Sequence, residues 1–266
     1  MQHEDYAYLD FIVVEAPQID VLRVMAAYRA EMGVPEDADP TEFAGGGDPD
    51  KRPSVLGLMW WALKQRIFSP KDEPIDFESN AQDLFLHADE AAGLDRRITW
   101  SQDGQVFGLP VETRISGIAG REDWTLVEFS DVISGMSMTA TRLSEELPEE
   151  DVFFFRRSGS KAKEPHFDFH HYRAGEQRRR VMSHCTHPTD GSPAWWEGHA
   201  EGPMLPFEDP AAYEGKDGAE ILTAARQSDL LKRLDLPEDL IFDPQLRIDA
   251  VLISDKPGGA PLSVAL

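Results

Sequence analysis

The strongest constraint on the fold is an alternation of side chains around a short turn between Pro165 and Pro188. Alternate residues of a strand share one face. Phe167 and Phe169 therefore face one way, and the next strand must place Val181 on the same side to bury an apolar face. A one-residue slip would flip every side chain, so this match sets the register. The alternation predicts an antiparallel hairpin.

The predicted connection is a three-residue turn centred on Gly175, which can adopt a positive φ. The register then places polar pairs on the other face, with His166 opposite His184 and His170 opposite Arg180. Directly opposed residues have Cβ atoms roughly 5 Å apart. We therefore expect several titratable side chains to share one patch.

Other patterns along the chain predict a mixture of strands and helices. Runs rich in aromatic and β-branched residues predict strands, and apolar residues repeated every three or four positions predict helices. An Asp-Gly pair at 103–104 predicts a further hairpin. The predicted strands are 6–14, 124–129, 151–157 and 246–253, and the predicted helices are 17–32, 53–68, 79–94, 130–147 and 218–234.

These elements predict an α+β fold with mainly antiparallel sheets backed by helices. Glycines at 117 and 120 suggest a boundary between an N-terminal α+β lobe (1–120) and a C-terminal α+β lobe (121–254), followed by a loose tail (255–266). The first helix ends in GVPEDADP and the last in DLPEDLIFDP, so the two lobes could be similar. Two ordinary proline stops are the favoured alternative.

The charge is the main indication of function. The chain has 49 acidic and 26 basic residues, a net charge of −23, which repels nucleic acid and anionic membranes. Such a surface favours a basic protein partner, because opposite potentials steer association. The alternative is acidity that serves solubility alone.

The N-terminus lacks the basic start and apolar stretch of a secretory signal. The single cysteine, Cys185, excludes an intrachain disulfide and suits a reducing compartment. We therefore expect a cytoplasmic protein.

Candidate partner contacts come from acidic segments and one aromatic pair. Residues 1–50 hold twelve acids and two arginines, and a second acidic run, EELPEED, covers 145–151. Tryptophan is enriched in binding hot spots, although a pair beside a proline can also be a lid on the core. The candidate contacts are Glu36, Asp37, Asp39, Glu145, Glu146, Glu149, Glu150, Trp195 and Trp196.

The candidate site for chemistry is the polar face of the hairpin, formed by His166, Asp168, His170 and His184. Histidine and carboxylate ligands suit zinc or another borderline divalent ion. The same residues could also form the active site of a metal-dependent or His/Asp enzyme. The arginines of the same hairpin could instead hold an anion. A third reading is structural, because the segment 156–180 has eight basic and three acidic residues and could neutralise the chain's own acids.

No HExxH, CxxC, GxSxG, GxGxxG or P-loop pattern occurs. The sequence therefore favours a protein without a cofactor and without enzymatic activity.

Several stretches between Asp123 and Leu240 carry a family resemblance, namely DWTLVEF, LSEEL, HYRAGEQRRRV and WWEGHAEGPMLPFED. In order and character they resemble uncharacterised bacterial α+β proteins of the toxin-immunity type. The resemblance implies a negative surface that plugs the active site of a basic toxin. A DNA mimic, whose carboxylates imitate phosphates to occupy a DNA-binding protein, makes the same demand on charge.

Overall fold

The fold is built on one antiparallel sheet. The computed structural model describes residues 8–32, 85–86, 113–129, 136–188, 192–214, 216–254 and 260–261. The strands are β1 (Tyr8–Val14), β2 (Phe85–Leu86), β3 (Thr113–Ile118), β4 (Arg121–Phe129), β5 (Val152–Ser158), β6 (His166–Arg173), β7 (Glu176–Thr186), β8 (Trp195–Glu201), β9 (Arg247–Ser254) and β10 (Ala260–Pro261). The helices are α1 (Gln18–Met32), α2 (Met136–Glu146), α3 (Gly218–Ile221) and α4 (Ala224–Arg233). An antiparallel sheet with a few helices agrees with the predicted α+β class.

The strands lie in the order β10-β2-β9-β3-β4-β1-β5-β6-β7-β8. β1 is antiparallel to both β4 and β5, so described residues from both sides of the predicted boundary at 120 share one sheet. Gly120 itself has φ +76° between the paired strands β3 and β4. The division into two similar lobes stays a prediction.

Apolar side chains cover both faces of the central strands. On one side, the α1–α2 face, Val21 and Leu143 pack with Ile12 and Phe154 of the sheet. On the other, the α3–α4 face, Leu231 is in a cluster that includes the inward-facing phenylalanines of β1, β5 and β6. Burying a side chain of this size contributes about 1.5–3 kcal/mol, so the two-sided cover is the main source of cohesion. None of the described helices combines the length and apolar character needed to cross a bilayer.

The structure confirms the predicted hairpin register. His166 lies opposite His184, and Phe169 lies opposite Val181 in the core. Cys185 is buried as the alternation required. The strand predictions for β1, β4, β5 and β9 and the helix predictions for α1 and α2 are also confirmed over the described residues.

The turn of this hairpin is shorter than the predicted three residues. Arg173 pairs directly with Glu176, so the connection is Ala174-Gly175, with φ values of +51° and +76°. Positive φ at both central residues is the mark of a type I′ turn, whose twist suits a hairpin. Arg178 of β7 is skipped in the pairing, between Gln177 opposite Tyr172 and Arg179 opposite His171, and this bulge compensates for the shorter turn, so the predicted pairs beyond it are correct.

The predicted helix at 79–94 is wrong at 85–86, where the chain forms β2. Phe85 and Leu86 pair with Ser254 and Ile253 of β9, a contact that local apolar spacing cannot reveal. In the predicted tail, residues 260–261 form β10 and pair with β2. The predicted helix at 53–68 and the hairpin at 103–104 lie outside the described residues.

Two features near the C-terminus differ from the predicted elements. The segment 195–201, for which no strand was predicted, forms β8 and pairs with β7 without a register shift. The predicted helix at 218–234 is two helices, since Leu222 is extended with φ −137°. Thr223 then caps α4 by accepting a hydrogen bond from the Arg226 backbone N–H.

Candidate functional site

The candidate site is a row of charged side chains on the α1–α2 face. Asp10 of β1, Arg156 of β5 and Asp168 of β6 are cross-strand neighbours in successive pairs. Tyr172, two and four positions from His170 and Asp168 on β6, packs in the core of the same face. Strand alternation therefore brings the polar cluster directly beside the apolar core.

Asp10 and Arg156 form a two-pronged ion pair. The Arg156 Nε and Nη2 atoms lie 2.9 and 2.6 Å from the two carboxylate oxygens of Asp10, whose side chain is 2% exposed. Burial raises the pKa of Asp10, and the Arg156 hydrogen bonds only partly oppose it. Burial tends to lower the pKa of Arg156, but the hydrogen bonds and charge of Asp10 outweigh it and raise that pKa.

Sequence reasoning missed both members of this pair. Asp10 is the one charged residue in the strand YLDFIVV, and such an isolated acid predicts a buried partner. Nothing in the sequence identified Arg156 as that partner, because the pairing of β1 with β5 joins residues 146 positions apart.

Asp168 lies between two histidines. His166 Nε2 is 2.8 Å from Asp168 Oδ2, and His170 Nε2 is 3.4 Å from Asp168 Oδ1. Burial alone would raise the pKa of Asp168, but hydrogen bonds from His166 and His170 outweigh it and hold that pKa far below its usual range. The carboxylate is therefore the fixed negative charge of the cluster.

His184 completes the predicted group through His166, with 4.8 Å between their ring centroids. Burial lowers the pKa of His184, and the charge of His166 lowers it further. The structure thus brings all four predicted residues of this patch together. Arg180 lies opposite His170 as predicted, and its Nη2 is 3.1 Å from Met182 Sδ.

The cluster extends inward as a chain of hydrogen bonds. His170 Nδ1 lies 2.9 Å from Tyr172 Oη, and Tyr172 donates to Gln177 Oε1 at 3.3 Å. A carboxylate, an imidazole and a hydroxyl in sequence is the arrangement that activates a nucleophile in hydrolases. Here burial raises the pKa of Tyr172 to about 12, so its hydroxyl stays protonated at neutral pH. The chain of bonds links Asp168 to the apolar core through His170 and Tyr172.

His166 Nε2 faces Asp168, and the two ring nitrogens of His170 face Asp168 and Tyr172. Across the part of the chain that the structure describes, no group of three or more His, Cys, Asp or Glu side chains is arranged to hold a metal ion. The geometry therefore gives no support to the zinc alternative at His166, Asp168, His170 and His184.

The α3–α4 face of the same hairpin holds a second buried ion pair. Arg179 donates to the Glu208 carboxylate at 2.9–3.0 Å, and the two side chains are 4% and 0% exposed. Arg179 also donates to the Glu201 and Gly202 carbonyls, which ties the chain after β8 to the sheet.

Near the turn, Asp151 accepts contacts from His171 Nε2 at 2.7 Å and Arg173 Nη1 at 3.2 Å. Burial tends to raise the pKa of Asp151, but His171 and Arg173 outweigh it and lower that pKa. Together with Arg156 and Arg179, these contacts show that much of the basic segment is neutralised by acids of the same chain.

The acidic candidates at the end of α2 remain on the surface. Glu145, Glu146 and Glu149 are exposed and Glu150 is half-buried. Arg142 pairs with Glu145 at 3.6 Å and with Glu146 at 3.0 Å. We call residues 145–150 the acidic segment. It lies beside the hairpin turn, because Arg173 Nη2 donates to the Glu149 carbonyl and the preceding Ser144 accepts a hydrogen bond from the Gly175 backbone N–H.

The two candidate tryptophans lie at the other end of the hairpin. Trp195 and Trp196 are 44% and 37% exposed on β8, where they pair with Thr186 and Cys185. Exposure of this size argues against a lid on the core. At about 3.4 Å per residue, the length of β7 separates the tryptophans from the acidic segment by about 30 Å. Glu36, Asp37 and Asp39 lie outside the described residues.

Comparisons with protein-family models, with curated proteins and with solved structures found no match to this chain.

Proposed function

We propose that this chain is an acidic, cytoplasmic, non-enzymatic protein that binds and inhibits a basic protein partner, as an immunity protein neutralises a toxin. The observation that carries the proposal is that several basic residues form ion pairs with acidic residues of the same chain. Arg156 and Arg179 are committed to buried carboxylates, and Arg173 is paired with Asp151. Each such pair uses one acidic and one basic residue, so the excess of 49 acidic over 26 basic residues is unchanged and the chain keeps its net charge of −23.

The acidic segment is the proposed contact surface within the described residues. Arg173 Nη2 bonds the backbone carbonyl of Glu149 at 2.7 Å, which leaves the Glu149 carboxylate for a partner. Glu145 and Glu146 share one arginine, so their two charges are only half balanced. The proposal also assigns contacts to Glu36, Asp37 and Asp39, on the strength of their charge in the sequence.

Charge complementarity at such a surface acts mainly on the rate of association. Opposite potentials raise the association rate constant by about 10- to 1000-fold at low salt, and the gain falls steeply with ionic strength. An acidic inhibitor of a basic protein should therefore bind fast at low salt and more slowly at high salt.

The test combines identification of the partner with a charge reversal. The purified chain, immobilised on beads, captures partners from a lysate of the source organism. Each captured protein is identified by mass spectrometry and purified, and its association rate is then measured by stopped flow at several salt concentrations. We expect Glu146→Lys with Glu149→Lys to slow association at least about tenfold at low salt and to flatten the salt dependence.

The matched control is Asp229→Lys with Glu238→Lys, which makes the same change in net charge at exposed positions elsewhere. Equal slowing by both pairs would mean that net charge alone acts, and would refute the assignment of the acidic segment. An acidic or neutral partner would refute the proposal itself. A DNA-binding partner that DNA displaces would select the DNA-mimic alternative.

A further inference from the structure

The outer edge of β8 is a second surface with no assigned role. β8 is the last strand in the sheet order, and no strand pairs with its outer side among the described residues. Six of its seven residues are exposed, and it pairs with β7 without a bulge. Edge strands usually carry lysine, proline or a bulge that blocks further pairing. WWEGHAE carries none of these, so this edge can accept another strand.

The same edge concentrates exposed apolar side chains. Among the described residues the exposed large hydrophobic side chains are Ile19, Met138, Trp195, Trp196 and Met204. Three of these five lie within ten residues on or just beyond β8. Exposed aromatic residues beside an unpaired edge are typical of a surface that is buried in an assembly.

We propose that β8 pairs with β8 of a second copy of this chain, antiparallel and centred on Gly198. Pairing in one continuous sheet requires a two-fold axis perpendicular to the sheet, so opposed residues must lie on the same face. The axis must therefore lie midway between the two copies of one residue, which pair with each other. Glu197, Gly198 and His199 are the three choices that pair most of the strand.

Charge selects among these three axes. Centring on Glu197 opposes two glutamates, and centring on His199 opposes Glu197 with Glu201 of the second copy and the two copies of His199 with each other. Like charges directly opposite destabilise a strand pair. Centring on Gly198 instead places Glu197 opposite His199 of the other copy, twice, and pairs all seven residues of β8.

Gly198 is closely packed within its own chain. A Cβ at this residue would lie 2.8 Å from Gly218 Cα of α3, so the approach of α3 to β8 requires glycine at 198. With this axis, Trp196 lies opposite Ala200 of the second copy, and the small alanine leaves room for the indole. The two acidic segments then lie at opposite ends of the joined sheet, where both stay accessible.

The net charge of −23 per chain opposes self-association at low salt. At 0.15 M salt, charges more than about 8 Å apart are largely screened, so most of this repulsion is weakened. The test is therefore analytical ultracentrifugation at 0.15 M salt, from about 1 μM to about 1 mM, the range expected for a small interface. We expect a monomer–dimer equilibrium for the wild-type chain.

Two variants locate the interface. His199→Glu opposes two glutamates at both 197–199 pairs and should weaken dimerisation at least about tenfold. Combining it with Glu197→His again places a glutamate opposite a histidine at both pairs and should recover the dimer. Lys232→Gln, at an exposed position of α4, makes the same change in net charge and should leave the dimer unchanged.

Three results would overturn the proposal. A wild-type chain that is monomeric up to about 1 mM has no such interface. A dimer that tolerates His199→Glu uses another surface, and a failure of the double variant to recover the dimer rejects the Gly198 axis. Circular dichroism of each variant checks that the fold is kept, since both positions are exposed.

Discussion

Replacing Asp168 with asparagine tests whether the polar cluster is a structural element of the sheet. The substitution keeps the shape of the side chain and removes its charge. His166 Nε2 is the nearer contact of the carboxylate, at 2.8 Å, and His170 Nε2 makes a longer hydrogen bond at 3.4 Å. Hydrogen bonds to a charged group are worth about 1.5–3 kcal/mol. Asparagine can still accept one hydrogen bond through its amide oxygen. We therefore expect Asp168→Asn to lower the free energy of unfolding by about 2 kcal/mol.

The measurement is urea denaturation at pH 7, followed by tryptophan fluorescence, with Asp229→Asn as the control. Asp229 is exposed on α4, so its substitution should change the free energy of unfolding by less than about 0.5 kcal/mol. His166→Ala in both backgrounds completes a double-mutant cycle, and we expect a coupling energy of about 1–2 kcal/mol. An Asp168→Asn loss no larger than that of the control would refute the reasoning.

The stability difference between wild type and Asp168→Asn should depend on pH. The folded-state pKa of Asp168 is lowered, so its stabilising contribution is fully present above the unfolded-state pKa, near 3.9. That contribution is lost as the pH falls through the lower, folded-state value. The difference in stability between wild type and Asp168→Asn should therefore narrow only below about pH 4. A difference that already vanishes by about pH 5 would contradict the lowered pKa of Asp168.

Two further predictions concern the ion pair on β1 and the hairpin turn. Asp10→Ala should lower the free energy of unfolding by about 3–5 kcal/mol, because Arg156 then stays buried without the carboxylate of Asp10. The double variant Asp10→Leu with Arg156→Met should lower it less in the same urea denaturation assay. An equal loss in the two variants would contradict this account. Ala174→Asn should raise the free energy of unfolding by about 0.5–1 kcal/mol, because asparagine tolerates the positive φ of +51° better than alanine; a lower midpoint in thermal unfolding would contradict the type I′ assignment.

Alternation in the sequence determined the hairpin and its register. Phe169 and Val181 could bury themselves on the same side in one register, so the opposition of His166 and His184 followed. The helices α1 and α2 also followed from local signals, since their apolar spacing and proline stops lie within one segment. These predictions succeeded because each depends on residues close together in the chain.

The tertiary structure decided which strands became neighbours and which charges were buried. Asp10 forms its ion pair with Arg156 because β1 lies beside β5. Phe85 lies in a strand because its backbone pairs with β9. Neither choice has a local signal, because backbone pairing is open to any extended segment and its partner is set by which faces can be buried together. For the same reason the sequence could assemble the histidine patch, while only the fold showed that Asp168 contacts both His166 and His170 and lies beside the Asp10–Arg156 pair.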